Sequence, residues 1–124
     1  MDFTVLSHAG LAVTGADTTL LCDPWLVGSC YWRSWWNYPP VRDELVASLR
    51  PTAISLSHIH WDHFHGVTLR RFPSDTPVLV PRGHHDRMRR DLEWLGFTDV
   101  RELRHGRRLE LAPDFAVTSY QFGP

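Results

Sequence analysis

Short apolar runs separated by turn residues open the chain. Residues 3–7, 10–14 and 19–23 are β-prone, and His8-Ala9 and Gly15-Ala16-Asp17 between them carry turn chemistry, so the start reads as a β-meander. From Pro24 to Pro40 the pattern vanishes, and four of the six tryptophans (Trp25, Trp32, Trp35, Trp36) crowd into this stretch with Tyr31 and Tyr38. Aromatic residues in such number without periodicity either cover a core edge or line a pocket, and core covering is the expectation. Pro40 then opens an amphipathic helix with Val41, Leu45 and Leu49 at helical spacing, which Pro51 stops.

The second half of the pattern alternates strand and helix. Residues 52–57 predict a strand with Ile54 and Leu56 on one face, residues 64–71 a short helix, and residues 78–80 a strand bracketed by Pro77 and Pro81. A helix over residues 86–95 has Met88, Leu92 and Leu95 on one stripe and Gly96 placed to end it. Residues 99–103, 108–111 and 115–120 predict three closing strands, with His105-Gly106 and Pro113-Asp114 as turns.

A chain of 124 residues with 43% hydrophobic content builds one core and at most one domain. The formal charge of −1 provides no field that draws it to nucleic acid or an anionic membrane, so a nucleic-acid partner is not expected. All thirteen cationic side chains are arginine, which points to a coding bias rather than thirteen designed anion contacts. The arginines of residues 82–90 are interleaved with acids, as on a solvated helix face. Cys22 and Cys30 are too few for a disulfide framework, and no signal peptide or membrane-length apolar run is evident. A cytoplasmic protein acting on a small molecule, without a membrane partner, is the expectation.

One segment changes the picture. Ser57-His58-Ile59-His60-Trp61-Asp62-His63-Phe64-His65-Gly66 holds four histidines and one aspartate directly behind a strand. In extended backbone, alternate side chains point the same way, so His58, His60 and Asp62 can converge. A bend after Asp62 would turn His63 towards a second ion about 3.5–4 Å from the first, the separation found in two-metal hydrolytic sites. Imidazole and carboxylate without thiolate suit zinc, iron or manganese.

The pattern HxHxDH followed by two residues and a glycine resembles the signature of the metallo-β-lactamase superfamily. The resemblance implies an α/β fold: an αββα sandwich, of which residues 1–124 supply the first half as a mixed sheet with flanking helices. It implies that His58 and His60 bind one metal and Asp62 and His63 a second. Two divalent ions are implied, zinc first, with iron or manganese as alternatives. Gly66 would permit close backbone approach behind the loop, and His65 would be a solvated or supporting histidine rather than a ligand. The last ligands come from the second half in that family, so a further segment or a partner chain would complete the site. The implied function is a metal-dependent hydrolase whose dinuclear centre activates water against an amide, lactone or phosphodiester bond, with Asp62 also relaying a proton.

Asp23-Pro24-Trp25-Leu26 resembles the DP motif of the same superfamily, implying that Asp23 holds a ligand histidine in the right tautomer. His8 matches a position often held by histidine in related lactonase and phospholipase subgroups, either supporting the site or lying at the surface. The DPWL segment with its following aromatics looks like the CMP-N-acetylneuraminate hydroxylase subgroup, which implies a diiron monooxygenase on the same fold as the alternative. Gln121 stands where hydrolase members place a histidine, which adds to that alternative. A non-catalytic metal-binding or interaction module is the third reading. His84, His85 and His105 are expected to lie apart from the metals.

Overall fold

The computed structural model describes residues 1–83 and 85–122. Strands β1 (Asp2–Val5), β2 (Leu11–Gly15) and β3 (Thr18–Cys22) form the expected antiparallel meander. Beyond it, β6 (Ala53–Ser55), β7 (Val78–Pro81) and β8 (Val100–Leu103) add in parallel, giving a six-stranded mixed sheet of order β1-β2-β3-β6-β7-β8. Parallel neighbours need crossovers, and helices α1 (Asp43–Ser48), α2 (Gly66–Leu69) and α3 (Arg87–Trp94) lie in those connections. The expected helices are present but shorter than their sequence periods.

The central strands read as continuous apolar runs because both faces are covered. Successive residues of a strand point to opposite faces, so Leu21, Ile54 and Val78 enter a core with Leu56, Leu69 and Leu92. Their neighbours Leu20, Ala53 and Leu79 enter a second cluster with Leu103 and Phe115 on the other face. Phe115 belongs to the separate hairpin of β9 (Arg108–Ala112) and β10 (Phe115–Thr118). Burying each of these aliphatic side chains contributes roughly 1.5–3 kcal/mol. Met88 and Leu95 pack partly buried against the first cluster, beside the fully buried Leu92.

The aromatic stretch departs from expectation. Trp25 is buried, but Trp32, Trp35, Trp36 and Tyr38 are exposed, so the segment does not cover the core edge. It folds instead into a small hairpin of β4 (Ser29–Cys30) and β5 (Trp35–Trp36). The intervening Tyr31, Trp32 and Arg33 run through the left-handed region with φ of 51°, 54° and 67°. Each non-glycine residue there costs about 1–2 kcal/mol, so this turn needs contacts that hold it. None of the described helices is long and apolar enough to cross a membrane.

Candidate metal centre

β3 and β6 run side by side and end together, and the site lies beyond their C-terminal ends, where open α/β sheets place ligands. β3 delivers Asp23, whose φ of 42° turns its carboxylate back over the next strand. Its backbone N–H donates to the Ser55 carbonyl at 2.9 Å, locking that turn to β6. β6 leads into the histidine loop, which closes when the His63 and Phe64 N–H groups donate to the His60 carbonyl at 2.9 and 2.7 Å.

Asp23 is the keystone. It is buried, and its Oδ1 accepts from the Ser57 N–H at 2.7 Å. Oδ2 accepts from the Ser57 hydroxyl at 2.6 Å and lies 2.8 Å from His63 Nδ1. An ionised carboxylate only accepts, so His63 carries its proton on Nδ1 and presents a bare Nε2 to the site. The Ser57 hydroxyl gives its one proton to Asp23, so at 2.8 Å it accepts from His58 Nδ1, which leaves His58 Nε2 bare as well. One aspartate therefore sets the tautomer of two histidines, the arrangement that supports metal-ligating imidazoles. Burial and the neighbouring His63 and His60 rings push the His58 pKa down, which favours the neutral form a metal needs.

Asp62 is also buried, and each oxygen is occupied. Oδ1 accepts from the Tyr31 hydroxyl at 2.8 Å; Oδ2 lies 2.9 Å from His8 Nε2 and 3.3 Å from His63 Nε2. Burial alone would raise its pKa, but the hydrogen bonds from Tyr31 and His8 outweigh burial and hold the carboxyl below its ordinary range. The same contact with Asp62 raises the Tyr31 pKa, which keeps the phenol a donor.

The residues fit a cation on a specific observation. Bare His63 Nε2 and Asp62 Oδ2 face each other at 3.3 Å, two lone-pair atoms with no proton of their own between them. A positive ion held between the two atoms would relieve that contact. His8, Asp62 and His63 each place a ligand atom within 4.8 Å of the other two. His58 and His60 lie beside this group, with ring centroids 4.7 Å apart, and His60 is exposed.

Other residues singled out in the sequence fall as follows. His65 is neither solvated nor a metal supporter: it is buried, Nε2 donates to the Ser29 carbonyl at 2.9 Å, and Nδ1 takes the Thr68 hydroxyl at 2.8 Å, capping α2. Gly66 is not forced by crowding, since a Cβ there would meet only Leu95 at an ordinary 3.8 Å. His105 accepts from the Gln121 N–H at 2.9 Å in the tail turn, and the Gln121 side chain donates to the Leu103 carbonyl at 3.4 Å. His85 is exposed, and His84 lies outside the described residues. Tyr31 and Ser57 were missed by sequence reasoning; Ser57 adjoins the histidine run, whereas Tyr31 sits in a stretch with no periodic signal.

No protein-family model matches the chain. Over 99 residues it is 36% identical to a protein of Mycolicibacterium smegmatis named "Putative Rieske 2Fe-2S iron-sulfur protein", a match covering 78% of this chain and 19% of that protein. Over 84 residues it is 32% identical to the inactive cytidine monophosphate-N-acetylneuraminic acid hydroxylase of Homo sapiens, covering 64% of this chain and 17% of that protein. The chain thus spans about a fifth or less of the length of these curated relatives.

Among solved structures, a possible metal-dependent hydrolase from Veillonella parvula superposes with TM-score 0.62 at 25% identity, over 88% of this chain and 45% of that one. An isothiocyanate hydrolase from Delia radicum gut bacteria shares the fold with TM-score 0.65 at 21% identity, over 88% and 43%. CmlA, a diiron β-hydroxylase from Streptomyces venezuelae, superposes with TM-score 0.55 at 26% identity, over 87% and 21%. The mixed sheet is that of half a metallo-β-lactamase-type fold. Its structural neighbours include a possible metal-dependent hydrolase, an isothiocyanate hydrolase and a diiron β-hydroxylase.

Proposed function

We propose that the chain is the metal-holding half of a metal-dependent hydrolase, with His58 and His60 serving one divalent cation and Asp62 and His63 a second. The observation that carries this reading is the convergence of ligand atoms from His8, Asp62 and His63, with His63 Nε2 and Asp62 Oδ2 at 3.3 Å. Cations bound there lower the pKa of water and polarise a substrate oxygen, as hydrolysis of an amide, lactone or phosphodiester bond requires. Zinc is the first choice of ion, and iron or manganese suit the same donors.

The chain's own residues contribute position and proton control. Asp23 holds His63 directly and His58 through Ser57, so both rings keep their inward nitrogens free of protons. Tyr31 clamps one oxygen of Asp62, leaving the other to face the site. That second oxygen, 2.9 Å from His8 Nε2 and 3.3 Å from His63 Nε2, is the atom placed to meet the cation. The remaining ligands come from a further segment or a partner chain, and the substrate is a small molecule.

A second reading, a diiron hydroxylase, is favoured by the likeness to CmlA and by the identity to a relative named as a hydroxylase, in its human form an inactive one. Elemental analysis of the purified protein, with paired activity assays, separates the readings. Zinc with turnover of a p-nitrophenyl ester or bis-p-nitrophenyl phosphate supports hydrolysis. Iron with substrate-dependent oxygen consumption supports hydroxylation. Absence of metal under both conditions overturns both and leaves a non-catalytic module.

A further inference from the structure

The turn between β1 and β2 is built around one side chain. Leu6 N–H donates to the Gly10 carbonyl at 2.8 Å, and the Ser7 hydroxyl donates to the Trp25 carbonyl at 2.8 Å. Asn37 donates to that same carbonyl at 2.9 Å and accepts from the His8 N–H at 3.4 Å. Gly10 is needed here, because a Cβ would come within 2.6 Å of Ser7 Oγ. The His8 ring stands edge-on to Trp25 and Trp35, at centroid distances of 5.6 and 6.1 Å. All of this aims His8 Nε2 at Asp62 Oδ2.

We propose that His8 is the third protein ligand of the cation held by Asp62 and His63. The proposal rests on the reading of those two residues as cation ligands, and it adds a donor that the HxHxDH pattern does not contain. The distances match those between two donors on one cation, and without a cation His8 Nε2 instead donates a hydrogen bond to the same Asp62 oxygen. Metal–donor bonds of about 2.0–2.2 Å place donors about 2.8–3.1 Å apart at right angles and about 3.3–3.6 Å apart at the tetrahedral angle. The observed separations of 2.9 Å from His8 Nε2 to Asp62 Oδ2 and 3.3 Å from His63 Nε2 to the same oxygen fall on those edges.

Two of the three inward side chains have an outer partner for their far atom, and the third is placed through its backbone. Tyr31 holds the far oxygen of Asp62, Asp23 holds the far nitrogen of His63, and the strapped turn holds the His8 backbone. Two imidazoles and one carboxylate form the donor set that takes ferrous iron in non-haem oxygenases and, in a closely similar form, zinc in hydrolases. The three donors come from residues 8–63, so this cation has its protein ligands without any from a second half.

The test uses cobalt(II) alone as the probe, read by its visible absorption band and by competition with a chelator. The parent protein, His8→Ala, His8→Gln and Asp62→Ala are compared, with circular dichroism as the fold control. Glutamine at position 8 can still donate a hydrogen bond to Asp62 but is a poor metal ligand. The proposal predicts that both His8 variants bind at least tenfold more weakly, with a changed band shape, and that free imidazole restores binding to His8→Ala. Parent-like affinity and spectrum in His8→Gln, with loss only in His8→Ala, would reduce His8 to a hydrogen-bond donor and overturn the proposal. Parent-like behaviour in both His8 variants also overturns it. If Asp62→Ala too binds like the parent, the failure belongs to the underlying reading of Asp62 and His63.

Discussion

Replacing Asp23 by asparagine changes one oxygen into a donor, and the hydrogen-bond inventory leaves a single outcome. Asp23 Oδ1 accepts from a backbone N–H at Ser57, which can only donate, so the amide oxygen must occupy that place. The amide NH₂ then takes the position of Oδ2, facing Ser57 Oγ and His63 Nδ1. His63 must accept there, so its proton moves to Nε2, the atom 3.3 Å from Asp62 Oδ2. The facing acceptors become an ordinary hydrogen bond, and the nitrogen meant for a cation is blocked. Loss of such an outer partner typically weakens metal binding 10–100-fold, or about 1.4–2.7 kcal/mol. Stability changes less than affinity, because two charge-assisted hydrogen bonds become neutral ones, costing about 1–3 kcal/mol, while the new His63–Asp62 bond offsets part of it. Long-range ¹H–¹⁵N correlation spectra of Asp23→Asn report the His63 tautomer directly, and zinc competition gives the affinity. An unprotonated Nε2 with zinc affinity within twofold of the parent would refute the reasoning.

Tyr31→Phe removes the donor to the buried Asp62 oxygen and should lower stability in chemical denaturation, with weaker metal binding alongside; unchanged values for both would show that the phenol is idle. Ile54→Ala, at a fully buried site in the central strand, should cost about 2–5 kcal/mol in the same assay, and a loss below 1 kcal/mol would contradict the packing described. Burial and the adjacent Asp23 push the Cys22 thiol up to about 11. A pKa raised in the folded state means that the fold retains a proton the unfolded chain gives up, so stability is complete below the ordinary thiol value of 9.0 and declines as pH rises towards 11. Cys22→Ser should flatten that decline, and an unaltered pH profile would remove Cys22 as its source.

The fold was legible where one periodicity dominated. Ile54 and Leu56 fall on one face as their alternation predicts, and the opening meander and closing strands fell within a few residues of their expected places. The histidine loop was legible because metal chemistry needs those donor types at short range, and Asp23 because Asp-Pro follows a buried strand. Tyr31 was not, since its role depends on a left-handed turn and on a contact 31 residues away in sequence. The exposed tryptophans misled for a related reason: size favours burial, but the turn at Tyr31–Arg33 carries their side chains outwards. His65 shows the converse, a histidine inside a metal motif whose two nitrogens are consumed by a helix cap.

The central claim is that the loop after β6, steadied by Asp23, grips cations. Crystals of the chain grown with zinc and measured on both sides of the zinc absorption edge test it most directly. The account predicts an anomalous peak in contact with His63 Nε2, Asp62 Oδ2 and His8 Nε2, and a neighbouring one against His58 and His60. An ordered loop with no anomalous density there, or zinc bound only at His85 or His105, would contradict it.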